Sequence, residues 1–226
     1  MNWHRAVVVG ASGGIGTALV DALRVQGSET VALSRPHVDL TDEDSIARAA
    51  RAVAEGGPVD LVIVASGVLA AGGSKPEKSL REIDPATFAA VLAVNTIGPT
   101  LVAKHFVPLL PRDVPSTFAV LGARVGSISD NRLGGWYSYR ASKAALAMAV
   151  RTLAIELART HPEAVFAALH PGTVATDLST PFVRGVPPEK LFTPEQSAGH
   201  LLSVLGQLRP ADSGGHFAWN GSRIEP

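Results

Sequence analysis

The chain of 226 residues contains two tyrosines, Tyr137 and Tyr139, and only Tyr139 is followed one helical turn later by a lysine, Lys143. Residues four apart on a helix project from one face. A free phenol has a pKa of about 10 and exchanges protons poorly at neutral pH. Lowering it by ~3 units takes roughly 4 kcal/mol. An ammonium ~4 Å away at an effective dielectric of ~20 supplies about that much. Read this way, Tyr139 and Lys143 form a general acid for a reduction and a general base for the reverse oxidation.

The second chemical signal is the run Gly10-Ala11-Ser12-Gly13-Gly14-Ile15-Gly16, placed between a short apolar strand and a helical stretch. Glycines there let the backbone turn tightly and approach a pyrophosphate, which free N–H groups and the positive end of the following helix attract. The spacing is G-x-x-x-G-x-G rather than G-x-G-x-x-G. About 20 residues on, NAD enzymes usually carry an acidic residue for the ribose 2′-hydroxyl. Here the second strand ends in Ser34-Arg35. A hydroxyl and a guanidinium suit a 2′-phosphate instead, so NADP is expected over NAD.

Positioning these groups requires alternating strands and helices. Short β-branched runs at 5–10, 29–34, 59–65, 116–121, 164–170 and 216–219 read as strands, with a further short one at 37–40. Helical stretches cover 14–26, 42–55 with Thr41 as N-cap, 85–110, 138–160 and 194–208. Strands apolar on both faces belong to parallel sheets covered by helices on each side. The expected fold is therefore α/β: a single doubly wound, Rossmann-type α/β/α domain spanning residues 1–226. The helices at 85–110 and 138–160 are apolar almost all round, which reads as deep burial or as a homodimer or homotetramer interface.

Composition narrows the classes. Twenty basic and twenty acidic residues balance, which argues against a nucleic-acid partner. With no cysteine, disulfides and thiolate chemistry are excluded, and no metal site is indicated. No apolar run approaches the ~18 residues of a membrane span, and, with only a four-residue apolar run near the N-terminus, no signal peptide is expected. A cytoplasmic protein with no membrane partner is expected.

Together these residues resemble the short-chain dehydrogenase/reductase superfamily over nearly the whole chain. Within it the chain is most similar to C-factor-like carbonyl reductases, which share Gly126-Ser127-Ile128-Ser129-Asp130-Asn131, then Gly134-Gly135-Trp136-Tyr137 and the Tyr139–Lys143 pair. The resemblance implies Tyr139 as proton donor and Lys143 as the group that binds the nicotinamide ribose and depresses the Tyr139 pKa. It implies Asn95 as the residue linking Lys143 to solvent through water. Cofactor contacts are implied at Gly10, Ser12, Gly14, Ile15 and Gly16, at Ser34 and Arg35, and at Asp39 and Leu40 on the adenine side. They are also implied at Ala65 and Gly67 and, on the nicotinamide side, at Pro171, Gly172, Val174 and Thr176.

Three departures stand out. The family's Asn-Asn-Ala-Gly is Val64-Ala65-Ser66-Gly67, and the connection after Ser34 is too short for the usual extra helix. The family's carbonyl-polarising serine aligns with Ala123, which cannot donate a hydrogen bond. Losing one such donor costs ~3–4 kcal/mol. Ser127 or Arg124 can take that role if either reaches the pocket; Ser127 reads equally as a turn serine. Residues 179–192, including Pro181, Phe182, Pro187, Pro188 and Leu191, read as a lid, and Trp136, Met148 and Phe182 as apolar lining. The expected function is an NADP-dependent oxidoreductase acting on a small carbonyl or alcohol. The alternative is a nucleotide-binding regulatory or signalling protein whose catalysis has decayed, and a nucleotide-dependent transferase is a third option.

Overall fold

The computed structural model describes residues 3–180 and 187–226. Six parallel strands form one sheet: β1 (Arg5–Val9), β2 (Glu29–Leu33), β3 (Leu61–Val64), β4 (Ser116–Leu121), β5 (Ala164–His170) and β8 (Gly215–Ala218). Their order is β2-β1-β3-β4-β5-β8. The chain leaves β1 in one direction and returns to its other side at β3, so the strand order reverses between them, where ligands bind in such sheets. A two-residue ladder joins β6 (Thr173–Val174) to β7 (Leu191–Phe192). It ties together the two ends of the segment 175–190.

Strands buried on both faces need two helical layers. On one face α1 (Gly14–Val25) and α6 (Pro194–Gln207) contribute Leu19, Leu23, Leu201 and Leu205 to a core with Val8, Ile63 and Leu169. On the other, α2 (Glu43–Ala54), α4 (Gly98–Phe106) and α5 (Tyr137–Leu157) contribute Ile46, Phe106 and Leu146 to a core with Val62, Phe118 and Phe166. This is the three-layer doubly wound architecture expected from the strand and helix pattern.

Three local expectations are corrected. Residues 37–40 form a turn rather than a strand: the N–H groups of His37 and Val38 both donate to the Ser34 carbonyl, and that of Asp39 to Ser45 Oγ. Backbone donors so committed cannot join a ladder. Asp42, not Thr41, caps α2, accepting from the Asp44 and Ser45 N–H groups, while Thr41 donates to Asp39. The stretch 85–110 is not one regular helix. It runs as α3 (Pro85–Leu92), a π-turn (Ala93–Ile97), α4 and a 3-10 turn (Val107–Leu109). π-turns inside helices are frequent at functional sites, and this one carries Asn95.

Against the expectation of no membrane-length apolar run, Pro85–Leu109 is long and apolar enough by length and composition, with mean hydropathy 1.6. Val102, Ala103 and Phe106 of this stretch are buried in the sheet-side core. Exposed apolar residues also occur on the two helices that are apolar all round, at Ile97, Met148 and Ile155.

Candidate active site

The nucleotide end is built mainly from backbone. Gly10 adopts φ +91°, and its N–H and that of Ala11 both donate to the Leu33 carbonyl, locking the loop to the tip of β2. A side chain at Gly16 would fall on the Gly10 carbonyl oxygen, so the turn closes only with glycine there. The α1 N-cap, Gly13, makes no side-chain bond, and the first turn holds no acidic residue. The first-turn N–H groups of Gly14, Ile15 and Gly16 have no partner within the helix, and the helix dipole makes this end positive. Ser12 and Gly14 are exposed. The donor set fits a diphosphate.

Around this loop the other expected contacts gather unequally. Ala65 donates its N–H to Val9, and Ser66 lies against Gly10. Thr176 approaches Gly14 closely enough that a side chain there would meet its methyl group at 2.9 Å. Ser34 is half-buried and Arg35 exposed at the end of β2. The Asp39 carboxylate is spent on the Thr41 N–H and hydroxyl, which hold it below the usual carboxylate range, helped by the nearby Arg35 guanidinium. Leu40 is buried against Gly98 of α4.

The end that carries Tyr139 is built from side chains. A cavity of about 250 Å³ is lined by Ile15 from the nucleotide loop, by Gly122, Ala123 and Arg124 after β4, by Trp136 and Tyr139, and by His170 through Thr176 after β5. Tyr139 and Lys143 are buried, whereas Tyr137 is exposed. The Lys143 ammonium stands 5.8 Å from the centre of the Tyr139 ring and donates to the Leu121 carbonyl at 2.7 Å. The Trp136 ring meets Tyr139 edge-on, 6.1 Å between centres.

Asn95 is fully buried. Its Oδ1 accepts from the Val68 N–H, and its Nδ2 donates to the Val68 carbonyl and to Ser142 Oγ, which donates in turn to the Tyr139 carbonyl. A methyl group at Gly67 would lie 3.3 Å from Asn95 Oδ1 and 3.5 Å from Lys143 Nζ. Gly67, Asn95 and Lys143 therefore surround one point.

Burial governs the electrostatics. It pushes the Tyr139 phenol up to about 12 and the Lys143 ammonium down to about 8. Both neutral forms are favoured because each charge loses its hydration. In the protein by itself, burial thus works against the acidification of Tyr139 that is expected from Lys143 beside a bound dinucleotide.

Two expected residues lie elsewhere. Ser127 faces a separate cavity together with Met148, His216 and Arg223. Its Oγ accepts from the Asp130 N–H, the role of a turn serine. Met148 is exposed there instead of lining the Tyr139 cavity. Ala123 does line that cavity, so its wall lacks the serine hydroxyl. Arg124 reaches the cavity but pairs with Asp130 at 3.2 Å. Of the proposed lid, Pro181 and Phe182 lie outside the described residues.

Glu77 escaped the sequence reading. Its carbonyl accepts from the Trp136 N–H at 2.5 Å and its Oε2 from the Ser138 N–H at 3.3 Å, capping α5 from 61 residues away. The signal was a missing one: Gly134-Gly135-Trp136 offers no capping side chain before a helix that must start there.

Comparison with known proteins agrees with this geometry. A family model described as enoyl-(acyl carrier protein) reductase matches residues 18–201. The C-signal of Myxococcus xanthus is 36% identical over 169 residues, covering 74% of this chain and 93% of that protein. The 1-hydroxy-2-glutathionyl-2-methyl-3-butene dehydrogenase of Rhodococcus sp. strain AD45 is 32% identical, covering 92% of this chain and 93% of that protein. Among solved structures, an NADPH-bound carbonyl reductase from chicken fatty liver superposes with TM-score 0.86 at 27% identity, over 99% of this chain and 94% of that one. The chain belongs to the short-chain dehydrogenase/reductase family of oxidoreductases.

Proposed function

We propose that the protein is an NADP-dependent reductase of small carbonyl compounds, or dehydrogenase of the matching alcohols, with Tyr139 exchanging the proton. The observation that carries this reading is the single cavity that joins Tyr139 to the α1 N-terminus and to the Pro171–Thr176 side of the nucleotide loop. Gly10, Ser12, Gly14, Ile15, Gly16, Ala65, Gly67, Pro171, Gly172, Val174 and Thr176 would hold the dinucleotide, with Ser34 and Arg35 at a 2′-phosphate and Asp39 and Leu40 beside the adenine. When bound, NADPH supplies the hydride. The chain's own part is proton delivery. Tyr139 gives its hydroxyl proton to the oxygen on which negative charge develops. Lys143, buried and anchored to Leu121, stabilises the phenolate left behind. Asn95 holds Val68 and, through Ser142, the Tyr139 backbone, fixing the geometry of both.

The NADP assignment is supported by Arg35 and by the NADPH in the chicken carbonyl reductase. The apolar faces of α3 to α5 support a homodimer or homotetramer, and a monomer in light scattering would remove that inference. A cytoplasmic location is part of the same proposal. Tyr139→Phe should lower turnover of a carbonyl panel about 10³-fold while NADPH binding, measured by calorimetry, stays within about threefold. Turnover that survives the substitution would refute the role of Tyr139.

A second reading, a signalling protein with decayed catalysis, is favoured by Ala123 and by the name of the Myxococcus relative. Ala123→Ser separates the two. A large gain in turnover marks a crippled scaffold; no gain marks a different working arrangement.

A further inference from the structure

The cavity around Tyr139 has a specific vacancy in its chemistry. A carbonyl oxygen gaining negative charge needs a second hydrogen-bond donor besides the phenol, and Ala123 offers only a methyl group. Ser127 faces the other cavity. Ser179 spends its hydroxyl on the Val174 and Thr176 backbone. Thr176 turns its methyl group toward Gly14, and the Arg124 guanidinium is paired with Asp130 at the half-exposed rim.

His170 is placed differently. It ends β5, and because Leu121 pairs with Leu169, its strand neighbour on β4 is the Gly122-Ala123 edge. Side chains alternate along a strand, so His170 shares the sheet face of Phe166 and Ala168. That is the face covered by α5, the helix carrying Tyr139. His170 lines the Tyr139 cavity. Neither of its ring nitrogens bonds to a described residue, and Nδ1 is sealed from solvent, which leaves Nε2 as the nitrogen open to the cavity. The charged and titratable groups around it are His216 on β8, whose Nε2 is likewise buried without a partner, Arg124 and, behind His216, Lys143. Burial first, then His216 and Arg124, push His170 down to about 4. At neutral pH its ring is uncharged and carries one N–H. A neutral imidazole is a competent donor to a polarised carbonyl.

We propose that His170 is a catalytic residue that donates to the substrate's carbonyl oxygen in place of the hydroxyl missing at position 123. The inference rests on the reductase reading and explains how that reading survives Ala123. Rescue is the test. With NADPH and the carbonyl panel, His170→Ala should lower kcat about 10²–10³-fold, with the NADPH Kd changed less than about threefold. The double variant His170→Ala, Ala123→Ser should recover to within about tenfold of the parent, because the serine returns the donor to the opposite wall. Ala123→Ser alone should change kcat little.

Several results overturn the assignment: full turnover in His170→Ala, or a loss that the serine does not repair although NADPH still binds. A Thr173→Val loss that the serine repairs, beside an indifferent His170→Ala, would move the donor to Thr173. If His170→Ala no longer binds NADPH, His170→Gln decides, since its amide places a donor near the position of Nε2. Turnover within about tenfold of the parent supports the proposal, and loss with NADPH still bound refutes it. A parent enzyme that binds NADPH but reduces nothing in the panel refutes the reductase reading itself. An active parent indifferent to His170 refutes only this inference.

Discussion

The two ends of the site are built by opposite means. At the nucleotide end the working parts are backbone N–H groups, and the sequence requirement is absence: no side chain at Gly16, none at Gly10, no acid in the first turn of α1. At the other end the parts assigned to proton chemistry are side-chain tips, the buried Tyr139 and Lys143 and the proposed half-buried His170, each shifted toward its neutral form. A backbone site is damaged by adding atoms, and a side-chain site by removing them. In the proposed function, the position that discriminates among ligands by charge lies at the exposed edge of the first, and the positions that set proton chemistry lie in the interior of the second.

The sharpest way to break this contrast is Gly16→Ala. Its added methyl group would collide with the Gly10 carbonyl, a backbone atom held by the turn that ties the loop to β2. Overpacking of this kind costs about 1–3 kcal/mol or more. NADPH binding should be abolished in calorimetry, and the denaturant midpoint should fall. A variant that keeps both would show the loop to be a mere connection.

How much of this was readable in the sequence follows the same division. The glycine loop and the parallel strands were legible because close approach and two-sided burial leave compositional marks: Gly10 to Gly16, and runs such as Leu61–Val64. Residues 37–40 misled because Val38 and Leu40 are buried like strand residues while their backbone serves a turn. Asn95 was named through the resemblance, but the π-turn that presents it was not legible, since a one-residue change in helical register leaves no pattern in side-chain types. The burial that favours the neutral forms of Tyr139 and Lys143 in the empty protein was not legible, because spacing along a helix reports proximity and says nothing of desolvation. The turn role of Ser127 was one of the two readings its local pattern offered, and Asp130 three residues on fulfils it, whereas Glu77 depended on a contact with Ser138, 61 residues away, which local pattern does not encode.

A pH profile of stability tests the catalytic end without needing a substrate. The folded-state pKa of Lys143, about 8, lies below its ordinary 10.5. Between those values the unfolded chain holds more protons than the folded one, so stability should rise as pH increases through this window. At about 1.36 kcal/mol per unit the gain is at most roughly 3 kcal/mol. Tyr139 has the opposite sign. Raised from 10 to about 12, it holds its proton longer when folded, so stability should fall as pH climbs from 10 towards 12. Denaturant midpoints measured from pH 7 upward should therefore pass through a maximum near pH 10. Lys143→Met should erase the rise and leave the fall. A flat profile in the parent would mean that Lys143 is better hydrated than its burial implies.

The smallest effect belongs to Arg35, at the exposed edge of the nucleotide end. Its guanidinium projects from the tip of β2, close enough to Asp39 to lower that carboxyl, yet forms no ion pair among the described residues. A guanidinium hydrogen-bonded to a 2′-phosphate contributes about 1.5 kcal/mol, and at an exposed edge most of that is open to screening. Arg35→Ala should therefore reduce the preference for NADPH over NADH roughly tenfold and leave NADH affinity unchanged. The fold itself should be unaffected. The difference should shrink with added salt, because the Debye length falls to about 3 Å at 1 M, whereas the damage from Gly16→Ala should not respond to salt at all. If Arg35→Ala instead weakened both dinucleotides equally, the residue would be shaping the loop and not reading the phosphate. The edge of the nucleotide site would then obey the same steric rule as its centre.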